Sequence, residues 1–247
     1  MRNDTMSVLD HLDELKRRLI RVAILAAILI GVALANFSRI YELFTLEARS
    51  LIVDAGGQII QLTLTEAWVA AAKLAIVAAL AASLPYFFWE MAMFFKPGMK
   101  PSERKYMYLL APSALVMFAV GATFAHMVLI PRLFQFMLWL QRELAAPEIT
   151  ITAMVSLMVS VIFWLGIVAE IPIVMFLLAK VGLISSGWLK TKRRWMILIA
   201  FVFGAIVTPT DPVSQIIVAV PVILLFEIGM LLVRLAERGR TKEGAAR

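Results

Sequence analysis

The side chains in this 247-residue sequence with the means to do chemistry are mostly carboxylates, and their settings differ. Glu14 in DHLDELKRRLI (10–20) and Glu103 in PSERKYM (101–107) each sit among basic residues, just ahead of apolar runs. Glu170 in LGIVAEIPIVM (165–175) lies inside an apolar run, beside Pro172. A carboxylate among cations stays ionised and accepts paired bonds from a planar guanidinium, a geometry that an ammonium reproduces poorly. A carboxylate buried among apolar residues costs several kcal/mol as an anion, so it must face protein or water, or carry a proton. Asp211, with Thr208, Ser214 and Gln215, concentrates polar groups in the short turn TPTDPVSQ (208–215).

Other chemistries lack their residues. Cysteine is absent, which excludes disulfides, thiol catalysis and thiolate metal sites. The two histidines, His11 and His126, have no metal-ligand spacing, so no metal site is expected. Ser185 and Ser186 in LISSGWL lie outside any nucleophile motif, and pairing them with His126, expected toward the outer side, would need to bridge the membrane. Without a P-loop no nucleotide is expected, and without a basic surface interleaved with aromatics no nucleic acid. The expectation is a non-enzyme without cofactors.

Each acid also has a structural reading. Leu9, Leu12, Leu15 and Leu19 line one side of a helix over residues 8–19, where Asp13–Arg17 and Glu14–Arg18 are acid-first i,i+4 pairs. Acids early and bases late also complement the helix dipole. Ser102 would cap the helix that Glu103 opens. Asp211 reads as a turn residue and N-cap, with Pro209 and Pro212 suiting the turn. Lys73 is expected to snorkel to an interface, and Pro172 to bend its helix by freeing the carbonyl of residue 168.

The elements that must position these residues are membrane spans. The chain is 62% hydrophobic and 17% charged, against about a quarter charged in soluble domains. Its apolar blocks approach ~20 residues, enough to cross a bilayer. Six spans are expected: Ile20–Phe37, Val69–Trp89, Tyr108–Ile130, Ser156–Ala179, Trp195–Val207 and Val213–Val233. Lysines and arginines in the connecting segments divide 19 against 4, which places both termini in the cytoplasm. The fifth span reaches only about 20 Å, so it either thins the bilayer or forms a re-entrant hairpin with the sixth. Alanine-rich spans one and two suit close helix packing. On the outer side, residues 131–144 form an amphipathic helix with Leu133, Phe136, Met137, Leu140 and Leu144 on one face. A second outer segment, 38–68, breaks at Gly56-Gly57. The whole is one membrane domain over 1–247: a surface helix at 1–19 rather than a cleavable signal peptide, a bundle over 20–233 and a tail over 234–247.

Together these landmarks resemble the TatC family, the polytopic subunit of the twin-arginine protein translocase. The resemblance covers about residues 8 to 235 and rests on the order of several motifs. They are HLDELKRRL, then Pro85, Phe94, Pro97-Gly98-Met99 and Glu103-Arg104, then LGIVAEIP, GLISSGWLKTKRRW and TPTDPVSQIIVAVPVILLFEIG. The resemblance implies an all-α, concave, glove-like six-helix bundle with short helices five and six, in the inner membrane. It implies a receptor that recognises twin-arginine signal peptides through Glu14 and Glu103, with Arg17 and Arg104 beside them, and nucleates export of folded proteins. Energy would come from the proton gradient. Glu170 would lie on the concave face. Single-span TatA/TatB-type subunits would dock near span five and the outer turn of Asp211 and Gln215, in an oligomeric complex. The chain departs from the family pattern at Lys16, where arginine is usual, and in TPTDP. It departs again at Trp89-Glu90-Met91-Ala92, where Tyr-Gln-x-Trp is usual and where Glu90 adds an acid at the inner mouth of span two. The alternatives are a proton-coupled small-solute permease using Glu170, and a purely structural membrane partner.

Overall fold

The computed structural model describes residues 8–95, 104–141, 146–208 and 211–245. Among them the chain is helical almost throughout. Helix α1 (Val8–Ala35) leads into α2 (Phe37–Asp54) across Asn36, whose side-chain amide donates to the Val32 carbonyl at 2.9 Å. Then follow α3 (Glu66–Phe95), α4 (Arg104–Phe124), a π-helical turn (Ala125–Leu129) and α5 (Ile130–Gln141). The chain continues with α6 (Ile151–Val168), α7 (Ile171–Val181), α8 (Ser186–Val207) and α9 (Pro212–Ala245).

Five helical stretches are long and apolar enough to cross a membrane: His11–Ala35, Glu66–Phe94, Pro112–Gln141, Ile151–Lys180 and Pro212–Arg238. They correspond to the expected spans one to four and six. The expected fifth lies in α8, whose 22 residues begin with a charged stretch holding Lys190, Lys192, Arg193 and Arg194. Its apolar part is the short segment after those cations.

Small residues set how closely the helices approach. On α3, Ala70, Ala71, Ala75 and Ala79 are buried where this helix meets α1, α4 and α6. Gly121 on α4 has no room for a side chain: a Cβ there would stand 2.8 Å from the Leu165 carbonyl oxygen of α6. The main core gathers Leu74, Ile130, Leu133, Phe134, Met154, Met158 and Leu165 around α6. A second cluster joins α7 to α9 through Met175, Phe226 and Met230.

The structure revises three expectations and shows the bend expected in the fourth span. The residues read as a surface helix at 8–19 are the first turns of α1, which runs unbroken into the span. Their leucine stripe continues the apolar face of that span, so nothing in the local sequence stops the helix. Residues 131–141 likewise continue the third span. Pro131 has no N–H to bond one turn back, and the π-turn before it takes up the mismatch, with the Ile130 amide donating to the Ala125 carbonyl. The buried face of α5 is Ile130, Leu133, Phe134 and Leu138, while Leu140 is exposed and Leu144 lies outside the described residues. The face turned because α5 packs against Ala48 and Ile52 of α2 within the main core. The fourth span is two helices, α6 and α7, broken at Ala169-Glu170. This is the bend expected of Pro172, which falls in the first turn of α7.

One element was not foreseen. After α2 ends, Gly56 takes φ 75°, and Gln58–Ile60 (β1) pairs in parallel with Glu148–Thr150 (β2), Ile59 opposite Ile149. Strands of three residues are too short to carry an alternating pattern.

Candidate functional site

The spacing of α1 places Glu14, Arg18 and Arg21 on one helical face, and that face packs against α3. On α3, Tyr86 and Glu90 are also one turn apart. The two faces meet in one ionic network. Arg18 donates to Glu14 Oε1 from Nε at 3.0 Å and from Nη2 at 2.5 Å, and to Glu90 Oε2 from Nη1 at 2.8 Å. Arg21 Nη1 donates to Glu90 Oε1 at 2.8 Å, and the Tyr86 hydroxyl reaches the same oxygen at 2.7 Å. Nearby, the His11 ring stacks on Phe94 at 4.1 Å between centroids.

The two carboxylates are not equivalent. The Glu90 side chain is 4% exposed and both its oxygens are engaged, which is what a buried anion requires. Glu14 is 25% exposed, and only Oε1 is bonded among the described residues. Arg18, 15% exposed, lies between them. Four charged side chains of balanced sign therefore hold α1 to α3 and leave one carboxylate partly open.

The expected site residues are distributed as follows. Glu14 forms the i,i+4 pair with Arg18 that its spacing suggests, whereas Asp13 and Arg17 form no ion pair among the described residues. Arg17 stands exposed on α1. Glu103 and the proposed cap Ser102 lie outside the described residues, and Arg104 opens α4. Glu90, noted in the sequence only as an added acid, is the residue that ties the network together. The signal for it was the match between Tyr86-x-x-x-Glu90 on one helix and Arg18-x-x-Arg21 on its neighbour.

Two further polar sites lie away from this network. Glu170 is 4% exposed at the α6–α7 break, and neither carboxylate oxygen makes a hydrogen bond among the described residues. It borders a cavity of about 270 Å³ whose other walls include Leu84, Phe88 and Ile171. Asp211 accepts from the Ser214 amide at 2.7 Å, the N-cap its sequence suggests. Gln215 Nε2 donates to the Phe201 carbonyl at 2.8 Å, and so joins α9 to α8. The exposed Lys73 ammonium donates to Ser156 Oγ on α6 at 2.7 Å. No group of three or more potential metal ligands occurs among the described residues.

Comparison with known proteins gives this arrangement a context. The family model described as Sec-independent protein translocase protein (TatC) matches residues 10–221. The TatC protein of Campylobacter jejuni is 33% identical over 225 residues, 91% of this chain and 92% of that protein. That of Carboxydothermus hydrogenoformans is 26% identical over 95% of both chains. A crystal structure of the twin-arginine translocase receptor TatC matches with a TM-score of 0.81 at 30% identity, over 92% of this chain and 99% of that one. Family model, relatives and fold cover the same α1–α9 framework that holds the ionic network, and on these grounds this multi-pass membrane chain belongs to the TatC family, as a protein-transport subunit of the twin-arginine translocase and not an enzyme.

Proposed function

We propose that this chain is the receptor and core of its translocase, recognising twin-arginine signal peptides on the cytoplasmic face through Glu14 and Glu103. Arg17 and Arg104 are their neighbours in the sequence. The observation that carries this reading is the Glu14 carboxylate: it already accepts two bonds from a guanidinium, and its other oxygen has no partner among the described residues. A carboxylate so placed suits a second arginine better than a lysine, because only the guanidinium offers a planar fork of donors. The similarity to a crystal structure named for a twin-arginine translocase receptor supports the same reading.

In the proposed topology both termini are cytoplasmic, the chain crosses the inner membrane six times, and α8 and α9 supply the last two crossings. Single-span TatA/TatB-type subunits would join it in the complex, near α8 and the outer turn of Asp211 and Gln215. The signal-loaded receptor would nucleate export of folded cargo. The permease alternative is not favoured, because the relatives are components of a protein translocase.

The test is binding of a synthetic signal peptide carrying Arg-Arg, against the same peptide with Lys-Lys, to the purified chain in lipid nanodiscs. Tighter binding of the arginine peptide, lost in the Glu14→Ala, Glu103→Ala double variant, is expected. Equal binding of the two peptides, or binding undiminished in that variant, would sink the receptor reading.

A further inference from the structure

Resting on the receptor reading, we propose that Arg18 occupies Glu14 as an internal stand-in for an incoming arginine, and that Glu90 is the positioning residue that takes Arg18 over when that arginine arrives.

The division of bonds carries the idea. Arg18 spends two donors on Glu14 and a third on Glu90, so its guanidinium is already shared between two acids. Glu14 is the more exposed acid and has an oxygen without a partner among the described residues. Glu90 is buried, anchored by Arg21 and Tyr86, and placed where it can keep Arg18. A ligand arginine that displaces Arg18 from Glu14 therefore does not strand a partly buried cation. The displaced group stays bonded to Glu90, and the largest cost of the exchange, an unpaired desolvated charge, is avoided. A site without Glu90 would be different. Arg18 would have Glu14 as its one carboxylate, and two guanidiniums would face one anion. Both effects oppose an incoming cation.

A simple staple between α1 and α3 would use the same bonds, so the test needs a readout that a staple does not move. The readout is affinity of the Arg-Arg peptide for the full chain in nanodiscs, measured by fluorescence anisotropy. Glu90→Gln keeps the shape and one acceptor while removing the charge, and is expected to weaken binding by about tenfold or more. Adding Arg18→Gln removes the competitor, and the Glu90→Gln, Arg18→Gln double variant is expected to recover most of that loss. Unchanged affinity in Glu90→Gln, or a loss that Arg18→Gln does not restore, overturns the proposal.

If Glu90→Gln does not fold, Tyr86→Phe carries the test with every charge in place. Without the Tyr86 hydroxyl, Glu90 is less firmly placed to keep Arg18, and peptide binding weakens. Unchanged or stronger binding overturns the proposal. Two controls report separately on the receptor reading. They are a wild-type chain that does not prefer Arg-Arg to Lys-Lys, and a Glu14→Gln variant that binds undiminished. Either result removes that reading and this proposal with it, whereas a failure confined to the Glu90 and Tyr86 variants leaves the receptor reading standing.

Discussion

At the residue scale, the buried carboxylates divide by whether they are satisfied. Glu90 has three donors, while Glu170, just as buried, has no hydrogen bond among the described residues. An unsatisfied acid in an apolar cavity contributes nothing to holding the bundle together. Glu170→Met is therefore expected to leave thermal stability unchanged or to raise it, as followed by tryptophan fluorescence in detergent. A clear loss of stability would mean that the carboxylate has a structural partner after all. If export falls in a variant that is equally stable, the acid acts in transport. Asp211 is the opposite case. Its bond to the Ser214 amide makes Asp211→Ala cost about 1 kcal/mol, while Asp211→Asn should keep most of that stability. These residues also show what a sequence can and cannot say. The Asp211 cap and the Glu14–Arg18 pair were legible because their partners lie within one helical turn. The Glu90 network joins residues 72 positions apart, and the register between two helices is not written in either helix alone.

At the element scale, the helices are set by where backbones meet and where prolines interrupt them. The bend at Ala169-Glu170 was legible, since Pro172 cannot donate one turn back. The continuation of α4 through Pro131 into α5 was not, because a π-turn absorbs the same defect without ending the helix. The buried face of α5 was misread for a related reason. A stripe of large apolar residues in a membrane chain faces lipid as readily as core, and only the position of α2 decides between them. The tightest contact tests the packing directly. A Cβ on Gly121 would stand 2.5 Å from the Ala169 Cβ and 2.8 Å from the Leu165 carbonyl oxygen, so α4 and α6 must separate to admit it. Gly121→Ala is expected to destabilise the chain by about 1–3 kcal/mol, read as a lower unfolding temperature, and Gly121→Val by more. A neutral Gly121→Ala would mean that α4 and α6 separate at little cost.

At the scale of the whole molecule, the packed pair α8 and α9 decides how many times the chain crosses the membrane. Helix α9 is long and apolar enough to cross a bilayer, and α8 packs along it, joined by Gln215 to Phe201 and by Arg193 to Glu227. The apolar part of α8 is short, so the hairpin either crosses a thinned bilayer or turns back within it. Charge sets orientation but not this choice: the segments at the basic ends hold 19 lysines and arginines against 4 at the others, and both ends of the hairpin fall on the basic side in either case. The absence of cysteine makes the experiment direct, because every introduced thiol is the only one. Thr63, Thr191 and Val213 are all exposed, and each can be replaced singly by cysteine. With a membrane-impermeant maleimide, Thr63→Cys is expected to label on intact cells, and Thr191→Cys only after permeabilisation. Labelling in the reverse order would overturn the orientation. Val213→Cys then decides the hairpin: reaction on intact cells means that α8 and α9 cross and the chain has six spans. A thiol at 213 that reacts from neither side would place the turn inside the bilayer. The proposed docking of partner subunits at the outer turn would then need a surface buried in lipid.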